Sequence, residues 1–133
     1  MPPILDAVTA SYHRCRADDR FIETFYDRFL AKSDEVARRF RATEFTRQRF
    51  MLRESLLMIL LYHHGERGAV EELERLGERH SRRGIDIPPH LYSLWLDSLC
   101  EAVKEHDPEY VPALDQQWRD VMQPGIDLLV SKY

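Results

Sequence analysis

Cysteine is scarce in this chain, as are glycine, long apolar runs and any excess of positive charge, and each shortage removes a class of protein. The two cysteines, Cys15 and Cys100, lie far apart and have no metal-ligand spacing. That excludes a disulfide-stapled scaffold and a cysteine-based zinc module. No secretory leader opens the sequence, so the thiols are expected to be reduced and the protein cytoplasmic. The longest apolar stretch, Leu56 to Tyr62, has seven residues, too few to span a bilayer. The 19 bases are scattered among 23 acids for a net charge of −4, which leaves no footprint for nucleic acid. The five glycines form no phosphate-cradling loop, and no serine or cysteine has a histidine and an acid at a spacing that would make it a nucleophile. Strand-period alternation is missing throughout.

What remains is helical. Of 133 residues, 44% are hydrophobic and 32% charged, a globular balance with enough chain for one domain over 1–133. A first helix is predicted from Pro3 to Arg16. Asp18 or Asp19 caps a second, whose Phe21, Ile22, Phe25 and Phe29 keep helical spacing to Lys32. Ser33 and Asp34 open a short piece from Glu35 to Phe40. Thr43, with Gln48 downstream, starts a long helix to His64, broken by Gly65 and Gly68. A fifth runs from Val70 to Arg83 and stops at Gly84. Pro88-Pro89 suits the first turn of a sixth, ending near His106. Asp107-Pro108 starts the last, in which Pro124-Gly125 is expected to produce a kink or break. Apolar residues run most of the way round the fourth helix (Phe50, Leu52, Leu56, Leu57, Ile59, Leu60, Leu61), so it is expected to be the most buried. Seven helices with several apolar faces specify an all-α fold, either a bundle or crossed packing of the globin type.

Within this pattern His80 stands out. It lies one turn after Leu76, near the end of its helix, where an imidazole projects from a rigid element among apolar neighbours. The other histidines, His13, His63, His64, His90 and His106, lack partners at ligand spacing and read as surface residues. His63 and His64 are adjacent, so they point about 100° apart on a helix.

A set of residues in fixed order completes the picture. Phe25-Tyr26-Asp27-Arg28-Phe29-Leu30 is followed, fourteen residues after Tyr26, by Phe40. Then come Gln48-Arg49-Phe50-Met51-Leu52, Leu76-Gly77-Glu78-Arg79-His80, Gly84-Ile85 and Trp118. With these, the chain resembles the bacterial single-domain haemoglobins and the globin domain of flavohaemoglobins over essentially its whole length.

The resemblance implies a three-over-three helical sandwich, with no separate helix between the short third element and the long distal one. It implies a haem b cofactor held at iron by His80, whose other ring nitrogen donates to a nearby backbone carbonyl or side chain. Phe40 would stack on the porphyrin, Leu52 would limit the distal space, and Leu76 would press on the proximal face. Met51, Ile85 and Trp118 would join the cofactor-binding set. Tyr26 and Gln48 would carry the chemistry, since a phenol O–H and an amide N–H stabilise a diatomic ligand with partial negative charge. Arg41, Arg47, Arg79 and Arg83 compete for the propionates.

Dioxygen, nitric oxide and carbon monoxide are the ligands so implied. Oxidation of nitric oxide to nitrate would draw electrons from a separate reductase, because no flavin or nicotinamide domain is present. The protein would be a monomer or homodimer. A gas-sensing haem domain and a haem-free globin-fold interaction module are the competing readings. Two departures from the family pattern stand beside the match. The stretch His90-Leu91-Tyr92 offers a tyrosine without the usual proximal glutamate, the last helix ending at Tyr133 instead. The link from Phe40 to Gln48 is two residues short.

Overall fold

The computed structural model describes residues 3–133. Its elements are α1 (Pro3–Arg16), α2 (Phe21–Lys32), α3 (Asp34–Arg39), α4 (Phe45–His63), α5 (Arg67–His80), α6 (Leu91–His106) and α7 (Ala113–Ser131). There is no strand among the described residues. Two layers of three form, α1, α4 and α5 over α2, α6 and α7, with α3 as a short bridge beside α2. Contacts between α1 and α7, α4 and α7, and α5 and α7 join the layers. Trp118, Phe21, Phe25, Leu56, Leu73, Leu99 and Met122 are fully buried where the layers meet.

The helix ends follow local hydrogen-bond chemistry. The Ser33 hydroxyl accepts from Val36 N at 3.1 Å and caps α3, as the sequence predicts. The cap of α4 is Glu44, not Thr43: its carboxylate accepts from Thr46 N at 3.1 Å and Arg47 N at 2.9 Å. Those backbone N–H bonds hold the Glu44 carboxyl below its ordinary pKa. Pro88 and Pro89 precede α6 instead of opening it. Asp107 caps the C-terminus of α6 and does not begin α7.

Three further expectations are corrected. Pro124 does not interrupt α7, which runs through it. The neighbouring glycine instead serves packing, since a Cβ at Gly125 would lie 3.0 Å from Ile59 Cγ2 on α4. Nor is α4 buried all round: Phe50 is 58% and Leu57 42% exposed, because only the face bearing Leu52, Leu56, Ile59 and Leu60 meets other helices. His106 is not a free surface histidine. Its Nδ1 donates to Asp18 Oδ2 at 2.7 Å, and its Nε2 accepts from the Thr24 hydroxyl at 2.6 Å.

At the C-terminal end of α6, one polar cluster ties the layers together. Asp107 is buried and accepts from the Ser11 hydroxyl at 2.6 Å and from Arg14 Nε and Nη2 at 2.6 and 2.9 Å. Trp118 Nε1 donates to the same Ser11 oxygen at 3.0 Å. One acid thus joins α1, the end of α6 and α7. Cys15 and Cys100 are free and buried, with both thiols pushed up to about 12 by desolvation, which leaves them unreactive near neutral pH.

Candidate functional site

His80 closes α5, and the chain then turns sharply. Ile85 N donates to Arg79 O at 2.8 Å, Asp86 N to Ser81 O at 2.9 Å, and Ile87 N to His80 O at 2.8 Å. This tight return replaces the three further helical residues expected up to Arg83. It also explains Gly84, where a Cβ would sit 2.1 Å from Arg79 O. The His80 ring is thereby held on a stiff helix end beside the loop that carries Ile85.

His80 Nδ1 lies 2.9 Å from the Leu76 carbonyl oxygen. A carbonyl can only accept, so Nδ1 carries the proton and the neutral ring keeps its lone pair on Nε2. Burial lowers the His80 pKa and Arg79 lowers it further, against the opposing pull of the Leu76 carbonyl. The imidazole is therefore neutral near pH 7, with one nitrogen free to bind.

This ring faces a cavity of about 450 Å³. Eight of the nine expected site residues line it: Tyr26, Phe40, Gln48, Met51, Leu52, Leu76, His80 and Ile85. The ninth, Trp118, does not. It lies at the contact of α1 and α7, edge-on to Tyr12 at 6.3 Å. A tryptophan on a helix's inner face reads the same from sequence whether its neighbours are core or cavity.

Tyr26 and Gln48 meet directly, Gln48 Nε2 donating to Tyr26 Oη at 3.1 Å. The phenol's own proton faces the Gln48 backbone carbonyl at 3.4 Å, too long for a strong bond. Desolvation pushes the Tyr26 pKa up to about 12, opposed by the Gln48 amide, so the hydroxyl stays protonated and loosely held. Phe40 and Phe45 pack edge-on against Tyr26, at 5.7 and 5.5 Å. They fix the ring's direction.

Several lining residues escaped sequence reasoning. Trp95 packs on Phe25 at 5.9 Å and lines the cavity one turn after Leu91; the shared face of those two was the available signal. Tyr92 also lines the cavity, and burial pushes its phenol up to about 12. Of the four arginines proposed for the mouth, only Arg79 lines the cavity. Arg83 instead reaches Glu78 at 3.6 Å and the Lys132 carbonyl at 3.4 Å. The second lining cation is Arg39, passed over although it adjoins Phe40. His80 is the one histidine on the cavity wall, and among the described residues no three His, Cys, Asp or Glu gather to hold a metal ion.

Two helical layers, a neutral imidazole at the end of α5 and a tyrosine–glutamine pair bounding the same apolar cavity define a globin. A crystal structure of a protein from Pseudomonas aeruginosa PAO1, described as structurally highly homologous to a human hemoglobin, matches with a TM-score of 0.93 and 40% identity, covering 98% of each chain. No protein-family model and no curated protein matches this sequence. The chain belongs to the globin family, among its bacterial members. No helix among the described residues is long and apolar enough to cross a membrane.

Proposed function

We propose that this globin binds haem b through His80, reversibly takes up dioxygen and other diatomic gases, and oxidises nitric oxide to nitrate when an external reductase supplies electrons. The observation that carries the reading is the bond from His80 Nδ1 to Leu76 O at 2.9 Å. It leaves a single lone pair directed from a rigid helix end, inside a cavity whose other walls are largely apolar.

The cavity's residues fit a flat apolar group with anionic edges. Met51 and Ile85 are 42% and 61% exposed although apolar, and both stand on the cavity wall. A bound macrocycle would remove that surface from water, at about 25 cal/mol per Å². Phe40 offers an aromatic face. Arg39 and Arg79 offer charge-assisted hydrogen bonds to carboxylates. One imidazole is enough when the cofactor brings its own equatorial nitrogens.

When bound, haem would supply the iron at which a diatomic gas binds and nitric oxide is oxidised. The chain's part is electrostatic and steric. Tyr26 presents a protonated hydroxyl, and Gln48 holds it through its amide. Leu52 limits the space beside them, and the apolar walls exclude bulk water, which strengthens each hydrogen bond. Overall, nitric oxide, dioxygen and one electron give nitrate, so the reductase delivers one electron per turnover.

The test is reconstitution with haemin. Stoichiometric uptake, an intense Soret band and a ferrous form that binds carbon monoxide are expected. A protein that stays colourless with excess haemin overturns the reading. Mixing the oxygenated form with nitric oxide tests the second part, which fails if no nitrate appears.

A further inference from the structure

The bases look scattered along the chain, but two segments rich in them meet at the cavity, one supplying Arg39, Phe40 and Gln48 to its wall and the other Arg79 and His80. Arg38, Arg39, Arg41, Arg47, Arg49, Arg79, Arg82 and Arg83 bracket the cavity-lining Phe40, Gln48 and His80. Segments 38–49 and 79–83 thus hold eight of the chain's 19 bases and, in Glu44, one of its 23 acids. The remainder of a chain of net charge −4 is correspondingly acidic.

Few of these charges are neutralised. Glu44 is committed to the first turn of α4. Glu35 is drawn to His90 at 2.8 Å and Arg39 at 3.9 Å, and Glu78 to Arg83 at 3.6 Å. Arg82 lies over the Tyr133 ring at 4.7 Å. Glu54, exposed, is the one acid on the cavity wall. Among the described residues Arg38, Arg41, Arg47, Arg49 and Arg79 enter no ion pair; of the eleven bases elsewhere, Arg14, Arg28, Lys32, Arg75, Arg119 and Lys132 are paired and five are not. Arg38, Arg41, Arg47 and Arg79 are exposed and Arg49 is half-buried. Unpaired guanidiniums of one sign concentrate a positive field that steers a negatively charged partner.

We propose that this arginine rim is the docking surface for an acidic one-electron donor protein, carrying a flavin or an iron–sulfur centre, which binds over the cavity mouth. The inference rests on the haem reading above, since that reading requires an outside reductant. Location favours such a protein over nucleic acid or membrane, because the two arginine-bearing segments meet at the cavity that would hold the cofactor, with Arg39 and Arg79 on its wall. The transfer is balanced: the donor's centre loses one electron, the cofactor iron goes from ferric to ferrous, and no bond is made or broken.

The experiment uses haemin-loaded protein with a reduced flavodoxin as the acidic probe. Complex formation is followed by NMR titration and reduction by stopped flow, both across a salt series. The combined variant Arg38→Glu, Arg41→Glu, Arg47→Glu, all exposed and off the cavity wall, is compared with wild type. Docking predicts reduction that slows with salt and is about tenfold or more slower in the variant at low ionic strength, with shifts mapping to α3 and the start of α4. Reduction by the small neutral deazariboflavin radical should be the same in both proteins. Equal flavodoxin rates and affinities in variant and wild type overturn the proposal, as does charge-dependent binding only to duplex DNA or to phosphatidylglycerol vesicles. Protein that takes up no haemin would overturn the haem reading instead, so the two failures are separable.

Discussion

His80 and Leu76 are joined by a 2.9 Å hydrogen bond within one turn of α5, and that bond decides which imidazole nitrogen is available. Had Nδ1 been free, the lone pair would lie against the helix backbone. With Nδ1 committed, the ring plane and the tautomer are set together.

Replacing the ring tests this directly. His80→Gly should lose stable haem retention, measured as haem transfer to an excess of apomyoglobin. Added free imidazole should restore a five-coordinate ferrous spectrum. Unchanged retention without imidazole would show that another residue holds the iron.

Tyr26→Phe removes one donor and leaves the aromatic packing against Phe40 and Phe45 intact. A buried hydrogen bond to a charged or partly charged acceptor contributes about 1–3 kcal/mol. Oxygen dissociation from the ferrous form should therefore quicken by about five- to a hundredfold, as read by stopped flow. An unaltered rate would confine Tyr26 to a packing role.

The buried Asp107 predicts acid sensitivity. Burial alone would raise its pKa, but the bonds from Arg14 and Ser11 outweigh this and the folded value lies below 3.8. A depressed carboxyl contributes stability above its unfolded pKa, lost as pH falls below about 4 toward the folded value. His80 acts in a higher window. Its folded pKa lies below 6.5, so the unfolded state binds its proton first and the unloaded protein weakens as pH falls through about 6.5. Asp107→Ala should lower stability at pH 7 by about 3 kcal/mol and flatten the loss below pH 4 in urea titrations.

Gly125 predicts a steric effect. In Gly125→Val, side-chain carbon must enter space already occupied by Ile59, 3.0 Å from an added Cβ. The change should destabilise the fold by about 1–3 kcal/mol, with partial recovery when Ile59→Ala is added. Additive losses in the double variant would mean the two positions do not compete for the same space.

Much of this was legible in the residues. Helical spacing and Gly/Pro punctuation placed all seven helices, the ends of α1 and the C-terminus of α2 included, but the N-cap of α2 is Arg20, with no side-chain cap bond, and neither Asp18 nor Asp19. The ordered set from Tyr26 to Ile85 located the cavity. Misreadings arose where a local signal has two outcomes. Pro124 breaks an isolated helix, yet α7 tolerates it because packing against α1, α4, α5 and α6 holds the turns on either side. Phe50 and Leu57 are apolar, but their face of α4 meets no other helix. Thr43 and Glu44 can both cap, and the carboxylate accepts two N–H groups where a hydroxyl would take one.

By itself the sequence determined the periodicity that makes seven amphipathic helices and the order of the side chains that line the cavity, because both depend on neighbours a few residues apart. Only the tertiary structure decided that Trp118 is core and that Arg39 and Arg79, forty residues apart, flank one cavity. Those outcomes depend on how helices cross, and a crossing is set by the volumes of side chains distant in sequence, such as Gly125 against Ile59.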